Sequence, residues 1–249
     1  MFLAIDIGNS QIGLGLFQGK RLLKSCFFPK DDWKKFPLKR FIGEKKVSNL
    51  FIASVVPSLT KKIAFFCQKA LSLKPGIIKA KDCGIPIKTD HPKEVGVDRV
   101  LNALAAFSLY RKPAIIVDTG TATTIDLVSE KGAYLGGIIL PGLGISAGAL
   151  SERTALLPEV KIEKPESLIG KNSVSAIQSG IIYGSAEAIA GLLRRIKKDW
   201  KGKDVMVIGT GGWIKLLAPL IKSIDKIEPY LTLKGLALLY HKDTKAQRK

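Results

Sequence analysis

Histidine and cysteine are scarce in this 249-residue chain, with two histidines (His91, His241) and three cysteines (Cys26, Cys67, Cys83). Neither histidine has a cysteine or a second histidine at metal-ligand spacing, which argues against a zinc site and against a serine–histidine triad. The three separated cysteines fit no disulfide framework and no paired zinc ligands, so reduced core or surface thiols are expected. No apolar run approaches the roughly 20 residues that cross a bilayer. The chain enters the apolar stretch Phe2–Asp6 without a basic leader or small-residue cleavage site, so a cytoplasmic protein with no membrane partner is expected.

Acidic residues are also few, 21 against 40 Lys and Arg, for a net charge of +19. Such charge attracts polyanions and anionic metabolites. The lysines are nevertheless scattered, with concentrations at Lys34–Lys46, Arg194–Lys203 and Lys242–Lys249. No zinc finger, RNA-recognition signature or basic stripe interleaved with aromatics accompanies them. Solvated lysine faces are the expected reading, with no specific nucleic-acid partner.

Two strand ends carry nearly the same polar signature, FLAIDIGNS at Phe2–Ser10 and AIIVDTGTATT at Ala114–Thr124. In each, an apolar run delivers an aspartate, Asp6 or Asp118, to a glycine turn and then to hydroxyl or amide side chains. Gly8 and Gly120 let the backbone turn tightly, while Asn9, Ser10, Thr121, Thr123 and Thr124 offer neutral hydrogen-bond partners. An aspartate at the end of a buried strand is costly without a cation or donors nearby. Either copy alone also reads as a plain Asp-x-Gly turn; two copies, each followed by a second strand-like run, point to a loop pair around phosphate oxygens and a cation.

Hydrophobic residues make up 46% of the chain, enough for a substantial core in one large domain or two compact lobes. Strands are expected at Phe2–Asp6, Ile12–Phe17, Arg21–Phe28, Asn49–Val56, Ala114–Asp118, Thr124–Val128, Leu135–Leu140 and Val205–Gly209. Helical spacing is expected over Ser58–Leu73, Asp98–Leu109, Ser173–Lys198, Gly212–Ala218 and Leu233–His241, with Pro57 and Pro219 as breaks and Lys79–Glu94 as a linker. This divides the chain into lobes at 1–110 and 111–249.

Three further motifs stand out. GVDR at Gly96–Arg99 opens a predicted helix, where Asp98 lies in the positive field of the N-terminus beside the fixed cation Arg99; the same residues also read as a simple helix cap. GGIILPGLGISAGALSERTALLP at Gly136–Pro158 runs from a strand through Pro141, Gly142 and Gly144 into a small-residue helix. TGG at Thr210–Gly212 is either a tight turn or the floor of an adenosine pocket.

In this order, DIGNS, HPKEVGVDR, DTGTATTID, GGIILPG with TALLP, GKNSVSAIQSGIIYG, TGG and LTLKGL resemble the type III pantothenate kinases, over Met1 to about Leu239. The resemblance implies an α/β, two-lobed actin/Hsp70/sugar-kinase-like (ribonuclease H-like) fold with mixed sheets and a central nucleotide cleft. It implies ATP-dependent phosphorylation of pantothenate to 4′-phosphopantothenate, the first step of coenzyme A synthesis, by a homodimer that uses potassium or ammonium, with magnesium accompanying ATP. Carried over by position, the ATP loop is Asp6, Ile7, Gly8, Asn9, Ser10, Gln11, Ile12 and Gly13, with Asp6 toward magnesium and Thr121 a further ATP contact. Asp98 becomes the general base, and Gly96, Val97, Asp98 and Arg99 the pantothenate wall, with Arg99 opposite the carboxylate. Asp118 becomes the potassium ligand, and Ser173 reaches pantothenate from the neighbouring subunit. Ser10 and Ser173 stand where the family usually has threonine, and Thr89 where many members have a tyrosine lining the pantothenate pocket. Thr89 keeps open a kinase of another small molecule, and the positive charge keeps open a non-catalytic nucleotide-binding or transcription accessory relative.

Overall fold

The computed structural model describes residues 1–200 and 204–246, which form two compact units. Of the basic concentrations, residues 201–203 of the second and 247–249 of the tail lie outside the described residues.

The first unit opens with strands β1 (Phe2–Ile7), β2 (Gln11–Gln18) and β3 (Arg21–Pro29), each antiparallel to the one before. The short helix α1 (Leu38–Ile42) leads to β4 (Asn49–Ser54), parallel to β1, then α2 (Pro57–Leu71) and the short strand β5 (Gly76–Ile78). The sheet order is β3-β2-β1-β4-β5. Pro57 stands at the break between β4 and α2, as expected, and occupies the first turn of the helix, where its missing N–H costs nothing. Lys79–Glu94 holds two 3-10 turns, Ala80–Cys83 and Pro92–Glu94, ahead of helix α3 (Val97–Tyr110).

Strand alternation explains why β1 is buried on both faces. Leu3, Ile5 and Ile7 join a core with Leu38 and Phe41 of α1 and Leu59 and Ile63 of α2. Phe2 and Ala4 point the other way, into a core with Val100, Leu101 and Leu104 of α3.

The second unit repeats this topology with β6 (Ala114–Thr119), β7 (Ala122–Val128), β8 (Tyr134–Pro141), β9 (Met206–Thr210) and the two-residue β10 (Lys226–Ile227), ordered β10-β9-β6-β7-β8. Here β6 pairs antiparallel with β7 and parallel with β9. Helices α4 (Leu143–Arg153), α5 (Ser173–Asp199) and α6 (Ile214–Leu217) bury Leu143, Ile181, Ile182, Ile189 and Leu217 against Ile115, Val117 and Ile125. The helix expected over Gly212–Ala218 is therefore one turn, continued by a 3-10 turn at Ala218–Leu220 that contains Pro219. By length and composition α5 matches a membrane span, which the sequence reading did not anticipate; one face of it fills this core.

The last helix, α7 (Leu231–Ala246), rejoins the first unit, where Leu233, Leu236 and Ala237 pack with Val100 and Leu101 of α3. The backbone of Leu101 lies so close that a Cβ on Gly235 would sit 2.5 Å from its carbonyl oxygen. Gly132–Tyr134 also belongs to the first unit. The division thus falls at Arg111, but the chain beyond it is shared between the units rather than forming one lobe.

Candidate active site

Asp6 lies near the end of β1, half-buried and in register with Gly13 of β2 and Ala53 of β4. The following turn closes through Gly8 N–H donating to the Gln11 carbonyl at 2.9 Å and exposes Asn9, Ser10 and Gln11. The rest of the expected ATP segment is interior: Ile7 and Ile12 are fully buried partners, and a Cβ on Gly13 would strike the Phe27 ring at 2.7 Å. Exposed side chains in this segment are those of Asn9, Ser10 and Gln11, with Asp6 half-buried behind them.

Asp118 holds the equivalent place on β6, in register with Thr124 and Thr210. Its surroundings are closer. Gly211, at φ +92°, faces it so tightly that a Cβ would lie 2.5 Å from Asp118 Oδ1 and from the Thr119 nitrogen. Gly142 packs against the turn, where a Cβ would meet the Thr121 and Gly120 carbonyl oxygens at 2.2 and 2.5 Å. The Thr119 hydroxyl donates to the Thr210 carbonyl at 3.1 Å, and Trp213 N–H donates to the Thr119 carbonyl at 3.1 Å. Asp118 is thus packed closely against Gly211, and the Gly120–Thr121 backbone against Gly142.

At the third motif the helix cap is Gly96, not Asp98. The Asp98 carboxylate curls over the first turn of α3 and accepts from Arg99 N–H at 2.9 Å. A Cβ on Gly96 would lie 2.4 Å from Asp98 Oδ1, so this glycine sets where the carboxylate sits. The Arg99 guanidinium lies 5.7 Å from the centre of the Tyr134 ring. Thr89 has a buried hydroxyl with no hydrogen-bond partner among the described residues.

Ser173 begins α5 in the second unit and is exposed. Its position is fixed by Asn172, whose side chain accepts from Ser175 N–H at 2.9 Å while Ser175 Oγ accepts from Asn172 N–H. Among the described residues it lines a cavity of ≈ 720 Å³ with Thr123, Ser146, Gly180 and Gly184, and no other expected site residue reaches that cavity. The structure thus places Asp6–Gly13, Thr89 and Gly96–Arg99 in the first unit and Asp118, Thr121 and Ser173 in the second.

Two residues escaped the sequence reading. Asp126 is fully buried and accepts from the Thr124 hydroxyl at 2.9 Å; it stood in the quoted motif DTGTATTID, where strand alternation carried the only signal. Tyr134 is 1% exposed and carried none, because its partners lie about 35 to 50 residues away in sequence. The cysteines behave as expected of core thiols: burial pushes Cys67 and Cys83 up to about 12. Among the described residues no three His, Cys, Asp or Glu side chains cluster as a metal site.

The family described as type III pantothenate kinase matches residues 2–195. A type III pantothenate kinase of Moorella thermoacetica is 41% identical over 255 residues, covering 98% of this chain and 100% of its own length. The chain belongs to the type III pantothenate kinase family. A second relative of that name, from Bacillus cytotoxicus, is 39% identical and covers 98% of this chain and 97% of itself. As a member of this family the kinase uses ATP with a divalent metal.

The fold is shared more widely than the sequence. A Campylobacter jejuni protein named for the Baf family of transcriptional activators aligns at TM-score 0.63 and 21% identity, covering 98% of this chain and 99% of its own. The Acidaminococcus fermentans (R)-2-hydroxyglutaryl-CoA dehydratase component A aligns at TM-score 0.56 and 15% identity over 98% of both chains. At such identities the likeness concerns architecture alone, an α/β fold with two mixed five-stranded sheets.

Proposed function

We propose that this kinase transfers the γ-phosphoryl group of ATP to the primary hydroxyl of pantothenate, giving 4′-phosphopantothenate for coenzyme A synthesis in the cytoplasm. The observation that carries the reading is the Gly96–Arg99 turn, where a glycine cap holds the Asp98 carboxylate at the head of α3 beside Arg99. Full-length identity with relatives named for this activity supports the same substrate.

Phosphoryl transfer through a loose transition state depends on positioning and charge neutralisation more than on a strong base. Asn9 and Ser10, exposed at the β1–β2 turn, contact the ATP phosphates together with the turn backbone. Asp98 orients the acceptor hydroxyl and takes its proton late in transfer. Arg99 faces the pantothenate carboxylate, and the partnerless Thr89 hydroxyl offers that substrate a hydrogen bond where many relatives present a tyrosine ring. Asp6 would face a magnesium ion accompanying ATP, which would supply neutralisation of the phosphate charge.

The Asp118 carboxylate, at the end of β6 beside Gly211, offers oxygen to a monovalent cation, potassium or ammonium. Asp118 is the residue that would hold the ion. Ser173 serves the site of a second copy in a homodimer, a reading supported by exposed apolar and small residues on α4 and α5, including Ile145, Val174, Gly180 and Gly184.

A panel of acceptors tests this reading. With magnesium, ATP and potassium chloride, pantothenate is expected to be phosphorylated and a hexose, an N-acetylhexosamine and a small hydroxy acid are not. Preferred turnover of any of those three would overturn it.

A further inference from the structure

Tyr134 lies outside every recognised motif, yet it touches two segments of the candidate pantothenate wall. Its N–H donates to the Pro86 carbonyl at 2.9 Å and its carbonyl accepts from Lys88 N–H at 2.8 Å, a parallel bridge centred on Ile87. Thr89 follows directly. The Tyr134 ring meanwhile lies 5.7 Å from the Arg99 guanidinium carbon. The turn carrying it is seated on α3 by Gly132, at φ +76°, where a Cβ would strike the Phe107 ring at 2.5 Å. Only 1% of Tyr134 is exposed, so its ring does not itself offer a surface to substrate.

We propose that Tyr134 is a positioning residue for pantothenate recognition, its ring holding the Arg99 guanidinium in place while its backbone fixes the Pro86–Lys88 segment that leads into Thr89. The proposal rests on the reading of Arg99 as the partner of the pantothenate carboxylate. A long arginine chain loses considerable rotamer entropy when it is fixed for a ligand. A ring face that attracts the cation meets that cost before substrate arrives, and affinity rises through preorganisation.

The test is a double-mutant cycle on the full-length enzyme, with KM for pantothenate, KM for ATP and kcat measured separately. Arg99→Gln is expected to raise KM for pantothenate. Tyr134→Leu is expected to raise the same constant by ~3–30-fold, the span of a cation–π contact, leaving KM for ATP and kcat within about twofold. Tyr134→Phe, which keeps the ring, stays near wild type, and the double variant is no worse than Arg99→Gln alone. Should Tyr134→Leu fail to fold, Tyr134→Met carries the same comparison with more of the volume filled. Additive effects of the two substitutions, or a Tyr134→Leu enzyme altered only in melting temperature or kcat, would overturn the positioning role while leaving the Arg99 reading intact. An unchanged KM for pantothenate in Arg99→Gln would overturn that reading and the proposal together.

Discussion

The turns after β1 and β6 occupy the same place in two sheets of the same topology, yet they are built differently. The first closes through Gly8 N–H to the Gln11 carbonyl and is tied to the end of β3 by Lys30 N–H donating to the Ser10 carbonyl, while the side chains of Asn9, Ser10 and Gln11 are exposed. The second is wedged by Gly142 and Gly211, tied to β9 through Thr119 and to the start of α6 through Trp213. A turn that must close around a nucleotide gains from side chains that stay in water until the ligand comes. One that holds an ion gains from fixed oxygens, because reorganisation at binding would cost affinity. On the proposed reading, similar Asp-x-Gly signatures serve two jobs, and the neighbours decide which.

The largest effect is expected outside both turns. Asp98→Asn should lower kcat by ~10²–10⁴-fold, because the amide cannot accept the hydroxyl proton, with the melting temperature unchanged; near-normal turnover by a folded variant would remove the base assignment. Gly211→Ala comes next. It places a methyl 2.5 Å from Asp118 Oδ1 at φ +92°, and a stability loss of at least ~1–3 kcal/mol is expected in urea titration. Gly8→Ala meets only the Gln11 carbonyl oxygen, at 3.2 Å, and should mainly raise KM for ATP; equal destabilisation by the two alanines would erase the contrast between rigid and open turns. Asp118→Asn should flatten the rate response to potassium chloride relative to sodium chloride, and an unchanged response would move the ion elsewhere. The smallest effect concerns Lys112 and Asp204, an exposed ion pair in the second unit, where Asp204→Ala should cost under ~1 kcal/mol.

Much of this architecture was legible in the chain. The apolar runs of β1, β2 and β6 and the periodicity of α3 and α5 each reflect a burial pattern that one segment carries by itself. Edge elements were not legible, because β5 and β10 are two or three residues long and owe their form to a neighbouring strand. At the site, Asp6, Asp98 and Asp118 announced themselves through glycine-flanked motifs. Tyr134 and the wedging role of Gly142 and Gly211 depend on contacts far apart in sequence, which no local pattern encodes. Gly13 shows the converse, a motif glycine whose physical task is to accommodate Phe27.

The central claim is met most directly by product analysis. Purified enzyme with ATP, magnesium, potassium chloride and pantothenate should form ADP and 4′-phosphopantothenate in equal amounts by mass spectrometry, and do neither when pantothenate is omitted. ADP formed without pantothenate at the same rate, or a pantothenate pool left unphosphorylated, would contradict it.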